Sequence, residues 1–385
     1  MSSPASKNIP ILQVIPALDA GGAERTTIDV AAALAESGFH ALVASTGGRL
    51  EAELAQAGGE LIHMKAAAKA PHMIFANALA LRDIIRTRGV RLIHARSRAP
   101  AWSALLAAHW SKIPFVLTYH GFYKASNPLK RLYNSVMVRG DAVIANSLWT
   151  ADHIAQEYRN SPARLAVIPR GVDLQTFDPA GISPQRMSDL RTSWNAGDED
   201  FVVLLPGRLT RWKGQSVLID ALERMKKNER LGRIHAILAG DAQGRDAYEA
   251  ELRKAIAHTG LTDRVSIIGH VSDMATAYAA ADVVLSTSTE PEAFGRVAAE
   301  ASAMAKPVIA TDHGGARETV LADVSGLLVP PGDDRALADA ITRIAAMSTE
   351  MRERMGAAGR THIVHNFSRE RMCADTIALY RSLLS

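Results

Sequence analysis

The chain is short of the residues that define several protein classes. It has one cysteine, Cys373, in 385 residues. That excludes a disulfide scaffold and a four-thiolate zinc site, and it suits a reducing compartment. No apolar run reaches the roughly 18 residues needed to cross a bilayer. The opening residues, MSSPASKNIP, lack the apolar region of a cleavable signal. The expectation is a cytoplasmic protein, with any membrane contact peripheral and at the inner face of the plasma membrane. Familiar motifs are missing too. There is no G-x-G-x-x-G, so NAD and FAD are not inferred, and no G-x-x-x-x-G-K-[ST]. There is no H-E-x-x-H, no G-x-S-x-G and no spaced Cys/His set. Asp198-Glu199-Asp200 has the outline of a metal-binding D-x-D, but it precedes a strand pattern instead of following one. No metal site is expected.

Acidic residues are absent from the whole interval between Asp83 and Asp141. Ten Lys and Arg lie there, among them Arg96, Arg98, Lys130, Arg131 and Arg139. Aromatic residues are interleaved with them, including Trp102, Tyr119, Phe122, Tyr123 and Tyr133. The net charge of +4 is therefore uneven: residues 1–180 hold 19 basic and 13 acidic residues. A basic surface of this kind suits an anionic partner, whether a phosphorylated acceptor, an acidic lipid surface or nucleic acid.

The length is natural for two α/β domains. Apolar strand patterns alternate with helical ones along nearly the whole chain. The first series has strands near 11–18, 40–45, 60–64, 91–95, 115–120, 142–145 and 165–168. The second has strands near 201–205, 234–239, 265–268, 283–287, 308–311 and 327–329. Such alternation predicts two Rossmann-like, doubly wound parallel sheets facing each other across a cleft. The expected division is a first domain over 1–180, a linker over 181–200 and a second domain over 201–365. A terminal helix, about 366–385, is expected to pack back on the first domain.

Ligands in such sheets sit beyond the carboxyl ends of the strands. Gly21-Gly22-Ala23-Glu24 follows the first strand, and its backbone N–H groups are available to a ligand. His120-Gly121, Asn146-Ser147 and Arg170-Gly171 occupy other strand ends. Arg208 and Lys213 follow the first strand of the second series, just before a helix near Gln215; two cations and a helix N-terminus suit a diphosphate. Val271 closes a strand end that could offer backbone groups to a base. The segment Glu290–Lys306, EPEAFGRVAAEASAMAK, reads as a loop feeding a helix between two parallel strands. Gly295 stands at the helix entry, Glu292 in the loop and Glu300 on the helix, where a carboxylate could accept from ribose hydroxyls.

These pieces resemble glycosyltransferase family 4, retaining enzymes of the GT-B fold. The resemblance rests on Gly21-Gly22-Ala23-Glu24, His120-Gly121, Gly207-Arg208 with Lys213-Gly214, and the E-x7-E pair Glu292 and Glu300 around Phe294-Gly295. Gly314-Gly315…Glu318 and Pro331-Gly332-Asp333 continue it. It implies that Arg208 and Lys213 neutralise a donor diphosphate, UDP- or GDP-linked, and that Gly22 and Gly295 add N–H donors. Glu300 would hold the ribose, Phe294 and Val271 would also contact the donor, Glu292 and His120 would face the donor sugar, and no cofactor is implied. The implied partners are the nucleotide-sugar and an anionic saccharide or lipid-linked acceptor, not nucleic acid. Residues 94–100 and 129–140 are also similar to lipopolysaccharide-core transferases. Two departures stand out: Arg170 where the family often has Asn, and Ala293 where it often has Gly. A sugar-nucleotide epimerase of the same fold and a non-catalytic nucleotide-sugar or nucleic-acid binding protein remain as other readings.

Overall fold

A computed structural model of the protein describes residues 8–19, 21–67, 70–121, 123, 127–158 and 164–385. Phe122 and Lys124 of the basic interval lie outside the described residues. The fold falls into two compact units, residues 1–171 with Arg369–Ser385, and Val172–Ser368.

The first unit is built on seven strands: β1 (Ile9–Val14), β2 (Phe39–Ser45), β3 (Glu60–His63), β4 (Leu92–Ala95), β5 (Phe115–Tyr119), β6 (Ala142–Ala145) and β7 (Arg164–Val167). They form one sheet in the order β3-β2-β1-β4-β5-β6-β7, and all pairings are parallel. The chain reverses its direction of travel across the sheet between β1 and β4, where doubly wound folds open a crevice. The first strand stops at Val14 rather than reaching Leu18, because Pro16 has no N–H to continue the ladder. Both faces of the sheet are buried, in the strict alternation that strand geometry dictates. Ile11, Leu92, Val116 and Ala142 pack on one side, with Ile28 and Leu34 of the helix Gly22–Glu36. Leu12, Ile93, Leu117 and Val143 pack on the other, with Leu81 and Ile85 of the helix Pro71–Arg88. The helix Arg369–Leu384 completes the first of these layers by burying Met372, Cys373, Ile377 and Tyr380 in it.

The second unit has six parallel strands: β8 (Phe201–Pro206), β9 (Ile234–Ala239), β10 (Val265–Gly269), β11 (Val283–Ser286), β12 (Val308–Thr311) and β13 (Gly326–Val329). Their order is β10-β9-β8-β11-β12-β13. Val203, Leu205, Leu238 and Leu285 face the helices Gln215–Lys227 and Asp334–Ala345. Val202, Leu204, Ile237 and Val284 face the other layer.

The expected linker over 181–200 is not a loose connection. It contains the helix Pro184–Ser193, started by the Ser183 side chain accepting from the Arg186 N–H and by Pro184 in the first turn. Leu190 and Trp194 of this segment pack into the second unit's core. Its polar composition reflects a helix with one buried edge. Asp200 accepts from the Gly197 N–H at 2.7 Å, and Glu199 pairs with Arg233. Two of the three acidic residues, Glu199 and Asp200, are thus spent on local structure.

Candidate active site

In the second unit four segments converge at the carboxyl end of β8 and β11. The Arg211–Lys213 turn ends at Gly214, whose φ of 81° is left-handed. A side chain there would collide with the Thr287 carbonyl, so only glycine lets the turn dock on the segment after β11. The Thr289 N–H closes the contact by donating to the Trp212 carbonyl at 2.7 Å. From this turn Lys213 reaches across to Glu292, Nζ to Oε1 2.7 Å, with both side chains largely buried. The Ser288 hydroxyl donates to the same carboxylate oxygen. Thr311 Oγ1 and His313 Nε2 both bond the Ser288 carbonyl, at 2.9 and 2.8 Å. Gly315 N–H donates to the Glu292 carbonyl at 2.8 Å, and any side chain at Gly314 would strike Glu292 backbone. The loop carrying Glu292 is therefore fixed from three sides.

Electrostatics follow from this packing. Burial alone would push the Glu292 carboxyl up. The Lys213 charge, its hydrogen bond, the Ser288 hydroxyl and His313 together outweigh burial and hold it below the usual carboxylate range. Arg208 stands at the end of β8, exposed, and its guanidinium has no hydrogen-bond or ion-pair partner among the described residues. The backbone beneath it is fixed by Gln215, whose side-chain amide donates to the Arg208 carbonyl at 3.0 Å.

Gly295 caps the helix Arg296–Ala303 with φ 80°, and Glu300 lies one turn in, nearly buried. Both of its carboxylate oxygens already accept bonds: Oε2 from Tyr278 at 2.9 Å, Oε1 from Arg296 at 2.6 and 3.0 Å. Arg296 engages both lone pairs of Oε1, and Oε2 keeps a second lone pair for a ligand hydroxyl. Burial, then the Glu300 charge, holds the Tyr278 hydroxyl protonated as a donor. Phe294 does not face the site; it packs with Val172, Ile363 and Phe367 in an apolar cluster. Val271 lies apart from the Lys213–Glu292 group. It lines a groove of about 1010 Å³ beside the edge strand β10, with Leu190, Trp194 and Asp273, and none of Arg208, Lys213, Glu292 or Glu300 borders that groove.

The first unit gathers its polar residues at the switch between β1 and β4. Gly21 is overlain by the Glu24 carboxylate, and Gly22 lies against the Arg170 guanidinium so closely that a Cβ would collide with Nη1. Arg170 Nη2 is 3.1 Å from His120 Nδ1. Burial, then Arg170 and Arg96, push the His120 imidazole well below its ordinary pKa. Arg96 follows β4 and is only 1% exposed. Its Nε and Nη2 have no partner among the described residues, and Nη1 is 3.5 Å from His94 Nδ1. His94 is held by Tyr380 at 2.5 Å and by Thr118 at 2.8 Å. Asn146 and Ser147 serve as a helix cap, accepting from Thr150 at 2.9 and 3.0 Å.

Sequence reasoning did not find Tyr278, Arg296, Ser288 or the His94–Tyr380 bond. Arg296 was within reach, four residues before Glu300 on one helix face. Tyr278 and Tyr380 reach their partners through tertiary packing and leave no local signal. Among the described residues no group of three His, Cys, Asp or Glu side chains could hold a metal.

Residues 187–362 match the family "Glycosyl transferases group 1", and residues 20–176 match "Glycosyltransferase Family 4". A D-inositol 3-phosphate glycosyltransferase of Xylanimonas cellulosilytica is 32% identical over 305 residues, 75% of this chain and 71% of that protein. A glycosyltransferase from Rickettsia africae is 35% identical in structural superposition, covers 99% of both chains and has a TM-score of 0.89. Anabaena HepE, solved in complex with UDP-glucose, is 28% identical with a TM-score of 0.80, over 96% of this chain and 99% of its own. The two family matches and this extent of identity over both units show that the chain belongs to the nucleotide-sugar glycosyltransferases of the GT-B fold.

Proposed function

We propose that the protein is a retaining, metal-independent transferase that moves a sugar from a UDP-sugar to an anionic, phosphorylated acceptor. The observation that carries this is the cation pair at the end of β8. Lys213 is held 2.7 Å from Glu292, and Arg208 stands exposed beside it with its guanidinium unengaged among the described residues. Cleaving a glycosyl–phosphate bond leaves an oxocarbenium-like sugar and a developing diphosphate. Cations placed beforehand stabilise that charge in the transition state, and losing one such donor costs about 10²–10³ in rate. Arg208 and Lys213 supply the neutralisation that a divalent ion would otherwise give. Glu292, kept ionised by Lys213, faces the sugar, and Glu300 takes the ribose hydroxyls. Attack comes from the face that the leaving group departs, and the departing phosphate accepts the acceptor's proton.

UDP is favoured over GDP because HepE was solved with UDP-glucose. A phosphorylated acceptor agrees with the acid-free interval 84–140 in the first unit and with the inositol phosphate named for the Xylanimonas relative. A phosphorylated lipopolysaccharide core shares that chemistry and stays an acceptor to be tested. Peripheral contact with an anionic membrane belongs to the same proposal. Leu129 and Leu132 are exposed beside Lys130 and Arg131 on one short helix.

The test is a thermal-shift panel of UDP, GDP and ADP sugars with and without EDTA, followed by product analysis. Saturating ligand at 100 times Kd stabilises by about 2.7 kcal/mol. Stabilisation by UDP-sugars, insensitive to EDTA, and a product with the donor's anomeric configuration are expected with inositol phosphate or phosphorylated core oligosaccharide. A response confined to GDP, loss of activity in EDTA or an inverted product would overturn the corresponding part.

A further inference from the structure

We infer that Arg170 is a positioning residue for His120: it fixes the imidazole in the tautomer that carries its proton on Nε2, making this histidine a hydrogen-bond donor toward substrate and not a base. A guanidinium has five N–H groups and no lone pair, and it does not lose its proton in proteins. Its 3.1 Å contact with Nδ1 therefore requires the Nδ1 lone pair. An imidazole keeps at least one N–H, so that hydrogen must be on Nε2.

The contact is held from several directions. The strand end before it is pinned by Ile168 N–H donating to the Ala145 carbonyl at 2.9 Å, and the Gly171 N–H after it points at Met372 Sδ at 3.3 Å. Gly22 leaves just enough room for Nη1, and a larger residue there would displace the guanidinium. The titratable groups that act on the His120 ring are Arg170, Arg96 and His94, with no carboxylate among them, and Tyr123 meets the His120 backbone instead. The Arg96 backbone carbonyl favours a proton on the ring, but burial and the two guanidinium charges outweigh it, in keeping with the imidazole's low pKa. His120 Nε2 is buried with no partner among the described residues, so its N–H is available to an acceptor atom.

The functional half of this inference rests on the glycosyltransferase reading, in which the family resemblance sets His120 at the donor sugar. There the partner of Nε2–H is a sugar hydroxyl oxygen, and the acceptor's proton goes elsewhere, to the departing phosphate. This is a division of labour: His120 donates to the sugar, and the leaving group itself performs the base chemistry.

The tautomer can be read without activity. In the full chain labelled with ¹⁵N-histidine, long-range ¹H–¹⁵N correlation distinguishes the ring nitrogens, and the His120→Gln difference spectrum assigns the signal. The expected result is a protonated Nε2 and an unprotonated Nδ1 with no titration between pH 5.5 and about 8, around the usual histidine value of about 6.5. A proton on Nδ1, or titration within that window, would overturn the inference whatever the enzyme's substrate proves to be. Arg170→Met should free either ring nitrogen to carry the proton and raise the ring's pKa, while burial and Arg96 still hold it below its ordinary value. It should lower kcat about tenfold and add an acid limb to the pH profile that wild type lacks. Arg170→Gln, whose amide still donates, should restore both the tautomer and the flat profile. A loss of activity in Arg170→Met with no acid limb and an unchanged tautomer would mark Arg170 as merely structural.

Discussion

The two units balance charge in opposite ways. In the second, buried charges come paired: Lys213 with Glu292, and Glu300 with Arg296 and the Tyr278 hydroxyl. In the first, Arg96 is fully buried with two nitrogens unpartnered among the described residues, held by the Tyr380 hydroxyl and the charge of Asp29, and the bonds to His94 come from Tyr380 and Thr118, not from a carboxylate. A charge taken out of water without an opposite partner is costly, whereas a paired and hydrogen-bonded one is tolerated. On the function proposed above, the paired arrangement would grip a donor's diphosphate in a fixed geometry. On the same reading, the excess of basic residues in the first half of the chain would suit an anionic acceptor.

Four experiments would break or sharpen this contrast. The largest effect is expected at the donor pair. Lys213→Ala should cut kcat by about 10²–10³, and combining it with Glu292→Gln should cost less than the two losses multiplied. Strict multiplication in a double-mutant cycle would mean that the 2.7 Å contact is not a working unit. Next comes Tyr380→Phe, which leaves His94 Nδ1 buried without its 2.5 Å partner. Urea unfolding should show a loss of about 1–3 kcal/mol, with the thermal response to donor nucleotide retained. An unchanged midpoint would remove the terminal helix's tyrosine from the stability of the first unit.

The third test uses pH. Burial, then Arg96, holds the His94 imidazole well below its ordinary pKa, and His120 is depressed likewise. In the unfolded chain both bind protons below about pH 6.5; in the folded chain they resist doing so. Their contribution is therefore full above that pH and is lost as pH falls toward the folded values, with up to about 1.4 kcal/mol per pH unit from each group. Glu292 is also depressed, so its contribution disappears only below the ordinary carboxylate range. Unfolding midpoints should decline already between pH 6.5 and 5, and His94→Gln should flatten that decline. A wild-type profile flat to pH 5 would contradict the unpaired character of the first unit. The smallest effect belongs to Arg296→Ala. Its half-exposed ion pair with Glu300 is worth at most about 1 kcal/mol, so donor KM should rise only a few-fold while Tyr278 keeps the carboxylate in place.

The strands were plainly legible in the sequence. Every one of the 13 described strands overlaps an apolar run that the residues mark out, because buried parallel strands read as continuous Val/Ile/Leu segments. The glycines at 214 and 295 were legible too, since a loop feeding a helix next to another backbone demands them. What local sequence conceals is partnership at a distance. The spacing of Glu292 and Glu300 is visible, but Lys213 lies 79 residues from its partner and Tyr278 is on a separate helix. Phe294 shows the converse error: its place between two site residues made it look like a ligand contact, whereas its side chain belongs to the core. The Pro184–Ser193 helix was missed because its mostly polar surface carries little of the apolar periodicity that marks a packed helix.

The return of the terminal helix to the first unit also has a consequence for synthesis. Residues 172–368 are contiguous and supply the whole of the second unit, while the first unit's core lacks Met372, Ile377 and Tyr380 until the last residues emerge. At about 5–20 residues per second, a ribosome takes roughly 10–40 s to make the intervening segment. The half of the protein made first is thus finished last. During that interval the face of its sheet that awaits the helix, and the bond from Tyr380 to His94, stand open in a nascent chain whose second half can already be folding.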